Sequence, residues 1–191
     1  MEPFFDKNDK QLFYKYLKNA SYYFEFGSGG STYQASLCSN IHQIFSVESD
    51  KQWYQKVQSL ITKSNICYLF CEMHTKPNTF GHPGLECTNE QKRNYSNQIN
   101  EMNIDVAKKV DMILIDGRFR VACCLKCFQH ISNDCIICFD DFLNRKQYHV
   151  VLNFFDIIEK TSDNKMVILK KKKEITSIPS EIIEEYELIK D

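Results

Sequence analysis

The sequence predicts one α/β domain, a doubly wound and mostly parallel sheet of six to seven strands with helices on both faces. Three observations predict it. Short apolar runs alternate with stretches of helical periodicity, and the first run stops at a glycine-rich turn that opens a helix. The run at residues 110–116 is apolar almost throughout, as a central parallel strand covered on both faces must be. At 191 residues, 43% of them hydrophobic, the chain is long enough to bury a core of its own.

Taken in order, residues 6–19 place Leu12, Phe13, Tyr16 and Leu17 at helical spacing behind Asp6 as a cap, a leading helix within residues 1–20. Residues 21–26 read as a strand, 31–39 as a helix, 43–47 as a second strand, and 66–70 as a third. The helix between the last two, 50–62, carries Trp53, Val57 and Leu60 on one side, and Trp53 reads as core. Residues 74–93, with Pro77, Gly81, Pro83 and Gly84, break the rhythm and read as a long active-site loop. A helix over 95–109, a strand over 110–116, a helix over 119–131, a strand over 135–139, a helix over 147–159 and a strand over 166–169 follow. Lys170 to Lys173 read as a solvated strand end that keeps an edge from pairing. Residues 1–175 then form the domain, and 176–191 a short acidic helix that is an appendage or a homodimer contact.

Composition removes several classes of function. Lys and Arg number 24 against 25 Asp and Glu, a net charge of -1, which argues against an electrostatic nucleic-acid binder and for a small or locally recognised partner. No apolar run reaches the roughly 20 residues of a membrane helix, and the first residues lack a signal-peptide pattern, so a cytoplasmic protein without membrane attachment is expected. Nine cysteines, an odd number lying mostly in apolar runs, point to reduced core thiols. Cys124-x-x-Cys127 and Cys135-x-x-Cys138 imitate zinc knuckles, but residues three apart on a strand face opposite ways.

The sharpest feature is Glu25-Phe-Gly27-Ser28-Gly29-Gly30-Ser31-Thr32 at the first strand-to-helix turn, followed by Glu48-Ser49 at the end of the next strand. Glycines let backbone approach a ligand closely, and a carboxylate about 20 residues further on can accept two ribose hydroxyls. Thr32 stands where the dinucleotide motif has its third glycine, and an acidic Glu25 would repel a pyrophosphate but suit a ligand carrying an ammonium group. S-adenosylmethionine (SAM) therefore fits better than NAD.

Ordered along the chain, the blocks Glu25 to Thr32, Ser46-Val-Glu-Ser-Asp50, Phe80-Gly-His-Pro83, Asp111-Met-Ile-Leu-Ile-Asp116-Gly117-Arg118-Phe-Arg120 and Asp141-Phe-Leu-Asn-Arg145-Lys-Gln-Tyr-His149-Val150 resemble a bacterial and viral branch of the class I SAM-dependent methyltransferases. The likeness covers about residues 20–170. It implies a Rossmann-like sheet, SAM held by the glycine loop with Asp116 and Gly117, and Glu48 on the ribose.

Asp116 ends one strand and Asp140 and Asp141 end the next, so three carboxylates can converge. The arrangement is similar to metal-dependent sugar O-methyltransferases, in which Mg²⁺ on such oxygens would lower the pKa of an acceptor hydroxyl. Without a metal, Asp141 or His149 would act as general base. Arg118, with Arg120 and Arg145, could hold an anionic group of a small-molecule or glycan acceptor, or pair with the aspartates. A non-catalytic nucleoside- or protein-binding module is the competing reading, and an NAD-dependent reductase a third.

Overall fold

The computed structural model describes residues 1–163 and 165–189. The order of elements is α1 (Lys7–Leu17), β1 (Tyr22–Phe26), α2 (Gly30–Leu37), β2 (Gln43–Glu48), α3 (Lys51–Leu60), β3 (Ile66–Phe70), α4 (Asn89–Asn97), α5 (Ile104–Ala107), β4 (Met112–Ile115), α6 (Arg120–His130), β5 (Ile136–Phe139), a 3-10 helix (Lys146–Asn153), β6 (Phe155–Lys160), β7 (Val167–Lys171) and α7 (Ser180–Tyr186). The strands make one sheet in the order β3-β2-β1-β4-β5-β7-β6. The first five are parallel, and β7 runs antiparallel to both of its neighbours.

The alternation of side chains along each strand divides the core in two. Phe24, Ile113, Ile115, Ile137 and Phe139 pack on one face beneath α4 and α6, whereas Tyr23, Met112, Leu114, Ile136 and Cys138 pack on the other beneath α1 and α2. The same alternation disposes of the zinc pattern, because Cys135 belongs to the first face and Cys138 to the second. All nine cysteines are free thiols. No helix of the described residues is long and apolar enough to cross a membrane.

Several boundaries differ from expectation. The helix expected over 147–159 is a 3-10 helix followed by β6. Phe155 and Ile157 turn inward while Asp156 and Ile158 stay out, the two-residue period of a strand, and the register with β7 shifts between Ile157 and Glu159. The helix expected over 95–109 is split. Thr88 and Gln91 form a capping box that starts α4 at Asn89, which also ends the long loop earlier, and Asn103 caps the separate α5 through Asp105 N–H at 2.8 Å.

The lysine run does not guard an edge. β7 lies between β5 and β6, and Lys171 donates to the Ile131 carbonyl at 2.5 Å. In the C-terminal helix, Ile182, Ile183 and Tyr186 pack on the core, and Glu187 accepts from Lys126 at 2.6 Å and Arg93 at 2.9 Å. The last two positions of the 176–191 segment lie outside the described residues.

Candidate cofactor and acceptor site

The strands β1 and β4 are parallel neighbours whose following helices, α2 and α6, leave toward opposite faces of the sheet. Such a switch point opens a crevice beyond the carboxyl ends of the strands. Here it is a cavity of about 1040 Å³ walled by the turns after β1, β2, β4 and β5, by the long loop, and by the N-terminal segment. Single ligand pockets span roughly 300 to 1,000 Å³, so there is room for two small molecules.

Two turns meet at its floor. Gly27 has φ +99°, and a Cβ there would come within 2.9 Å of the Gly117 nitrogen, so backbone packs on backbone. A Cβ on Gly117 would in turn lie 2.0 Å from the Tyr95 hydroxyl oxygen. Gly29 is different. A Cβ there would find only the Trp53 ring, at 3.7 Å, in space that belongs to the cavity. Trp53 is therefore a wall residue rather than core, more than a third exposed and donating from its indole N–H to the Ser28 carbonyl at 2.8 Å.

Of the residues expected at the cofactor, Gly27, Ser28, Gly29, Gly30, Ser31, Glu48, Ser49, Asp116 and Gly117 line the cavity. Glu25 and Thr32 do not. Glu25 is fully buried behind the loop, where Tyr23 donates to it at 2.8 Å, Ser31 and Ser46 at 2.6 Å each, and Thr32 as well. Burial raises its pKa and these hydroxyls oppose the rise. Thr32 also accepts the Gly29 N–H at 2.8 Å. Glu25 thus fixes the loop from beneath and is not aimed at a ligand's ammonium group, which corrects the expectation.

Glu48 ends β2 on the cavity wall. One oxygen accepts from Ser49 N–H at 2.6 Å and Asp50 N–H at 2.8 Å, and the other from Ser28 N–H at 3.2 Å. Burial outweighs these bonds and pushes its carboxyl up to about 7. Ser49 is buried, and its hydroxyl ties the long loop down through the Gly81 carbonyl at 3.3 Å. Gly81 has φ +74°, and a Cβ there would press on the Ser49 hydroxyl at 2.9 Å.

At the ends of β4 and β5 the three aspartates do converge, but on a side chain. The buried Arg120 guanidinium lies 3.1 Å from Asp116, 3.7 Å from Asp140 and 3.9 Å from Asp141, and donates to the Gly117 and Asp140 carbonyls at 3.0 and 2.8 Å. Burial raises both Asp116 and Asp140, the latter to about 9, helped by the neighbouring Asp116 charge and resisted by Arg120. The expected Mg²⁺ site on Asp116, Asp140 and Asp141 does not fit this arrangement, because a guanidinium fills the position between the carboxylates. Their oxygens are also not gathered as a ligand set. Among the described residues the three acidic groups that are so gathered are Asp6, Asp9 and Asp163.

Arg118 and Asp141, expected to act on the acceptor, both line the cavity. Asp141 adopts φ 57°, which turns it toward Arg145, whose guanidinium lies 2.7 Å from its Oδ2. Arg118 reaches His82 Nε2 at 3.1 Å. His149, expected as the alternative base, is not on the wall: its ring stacks on Phe142 at 5.3 Å and its buried Nε2 has no hydrogen-bond partner. The histidine on the wall is His82 of the long loop. The sequence reading missed the segment Met1 to Asp6, which crosses above α2 so closely that a Cβ on Gly30 would meet the Glu2 carbonyl at 2.1 Å. Gly30 is the one local trace of that crossing.

No protein-family model matches the chain, and no curated protein matches its sequence. Solved structures do. The chain is similar to a methyltransferase-like protein from Silicibacter pomeroyi DSS-3, with 21% identity over 97% of this chain and 94% of that one and a TM-score of 0.81. It is also similar to the tRNA methyltransferase TrmI from Aquifex aeolicus (13% identity, 91% and 71% covered, TM-score 0.53) and to the tRNA methyltransferase TrmK of B. subtilis (13% identity, 88% and 67% covered, TM-score 0.52). The chain has the Rossmann-like fold of these methyltransferases.

Proposed function

We propose that the protein is a SAM-dependent methyltransferase directed to an oxygen of a sugar or other small hydroxylated acceptor. One observation carries the reading: a glycine turn whose backbone is open at Gly29 lies against the Glu48 carboxylate on the wall of a cavity large enough for a nucleoside and an acceptor together. SAM fits the residues present, since Gly29 offers open backbone, Glu48 offers carboxylate lone pairs to ribose hydroxyls, and Trp53 offers a ring edge beside them. When bound, it supplies an electrophilic methyl group on a sulfonium.

The protein's own part is positioning and desolvation. Gly27 and Gly117 set the two turns against each other, and Ser49 with Gly81 holds the long loop over the crevice. In this reading Asp141, its Oδ2 held by Arg145, takes the proton of the acceptor hydroxyl, and Arg118 orients the acceptor. Arg120 at the centre of the acidic cluster supports a metal-independent reaction. The same neutralised cluster favours, as the second reading, a module that binds a nucleoside without catalysis.

Incubation with methyl-labelled SAM and a panel of sugars, phenols and polyols separates the two. The first reading predicts S-adenosylhomocysteine and a labelled acceptor, lost in Asp141→Asn. SAM binding without turnover on any acceptor supports the second.

A further inference from the structure

A second group of carboxylates lies where the N-terminal segment meets the turn between β6 and β7, with Asp6 and Asp9 on the wall of the same cavity. Asp6 stands at the N-cap position of α1 without a side-chain cap bond, Asp9 lies in the first turn, and Asp163 sits in the turn between β6 and β7; one oxygen of each lies within 4.8 Å of the others. Three carboxylates so close repel one another unless a cation lies among them. Lys165 pairs with Asp6 and the Asn8 amide reaches Asp163 at 3.4 Å, which sets one positive charge against three negative.

A separate observation points to a ligand. Asp9 is 1% exposed, and its Oδ1 has no hydrogen-bond partner. A buried carboxylate oxygen without a donor is costly and rare. The set is all oxygen, with neither histidine nor cysteine, and so suits a hard ion over zinc or copper.

We infer that Asp6, Asp9 and Asp163 form a binding site for a hard divalent cation, Ca²⁺ or Mg²⁺, that fastens the N-terminal segment to the β6–β7 turn. Asp9 supplies the buried ligand, and the exposed Asp6 and Asp163 close on the ion from either side, water completing the shell. Because Met1 to Asp6 wall the cavity, the ion also steadies one side of it. The site is distinct from the aspartates around Arg120.

The test is calorimetric titration of the EDTA-stripped full chain with CaCl₂ and, separately, MgCl₂, on wild type, Asp163→Asn and Asp9→Asn. The expected result is saturable binding of at least one of the two ions, with a dissociation constant on the order of 10⁻⁴ M, as for a site of few carboxylates. Asp163→Asn should weaken it at least tenfold, and Asp9→Asn should do likewise. If Asp9→Asn fails to fold, the exposed Asp163→Asn decides alone. No saturable binding of either ion to wild type, or equal binding to Asp163→Asn, overturns the site. The probe is the metal alone, so the result does not depend on whether the protein methylates anything.

Discussion

Arg120 holds Asp116 at 3.1 Å from the first turn of α6, four residues on from that aspartate at the end of β4. That pair, with Asp140 and Asp141 just beyond, makes a guanidinium the counter-ion of the strand ends. Arg120→Leu removes a buried guanidinium from the half-exposed Asp116 and Asp141 and the buried Asp140, and should destabilise the fold by about 1–3 kcal/mol, read from the urea midpoint. Arg120→Lys keeps the charge but lacks the planar fork, and should recover only part. A midpoint unchanged by Arg120→Leu would remove Arg120 from its central place.

Gly27 and Gly29 should fail in different ways. Gly27→Ala forces a side chain into φ +99° and against the Gly117 backbone, and should cost on the order of 2 kcal/mol or more of stability. Gly29→Val meets only Trp53, so the melting temperature should stay close to wild type while SAM binding is lost. A folded Gly29→Val protein that binds SAM like wild type would contradict the assignment of the loop.

Glu48 gives the fold a pH dependence of definite sign. Its carboxyl is raised from an ordinary 4.5 to about 7, so between those values the unfolded chain is ionised while the folded protein keeps its proton. Folding then takes up a proton, and this group makes stability fall as pH rises through that window and level off above it. Urea midpoints measured across it should fall less steeply in Glu48→Gln than in wild type. Glu48→Ala should also weaken SAM binding about ten- to hundredfold, the usual worth of hydrogen bonds to a charged group.

The thiols should behave as core. Cys38 and Cys67 are partly exposed and the other seven are buried, and burial raises the pKa of Cys124, Cys127, Cys135 and Cys138. A thiol reagent should label at most Cys38 and Cys67 in the native protein and all nine after denaturation, as mass spectrometry would read. Fast native labelling of Cys135 or Cys138 would contradict the two-faced packing.

Much of this was legible in the sequence because it rests on local pattern. The apolar run of β4, the glycine turn after β1 and the acid ending β2 each announce themselves within a few residues. The end of the 3-10 helix did not, since residues 154–159 mix apolar and charged positions compatibly with either period, and pairing with β7 decides the matter. The fate of Glu25 turns on hydroxyls from three separate elements, and that of the aspartates on Arg120, whose side chain could as well have faced an acceptor. His149 and His82 are told apart only by tertiary placement.

The most direct measurement is calorimetric titration of the purified protein with SAM and with S-adenosylhomocysteine, beside Gly29→Val as control. The account predicts that both ligands bind the wild-type protein at one site and that Gly29→Val, though folded, binds neither. A folded wild-type protein that binds neither ligand would contradict it, leaving a methyltransferase fold without the cofactor.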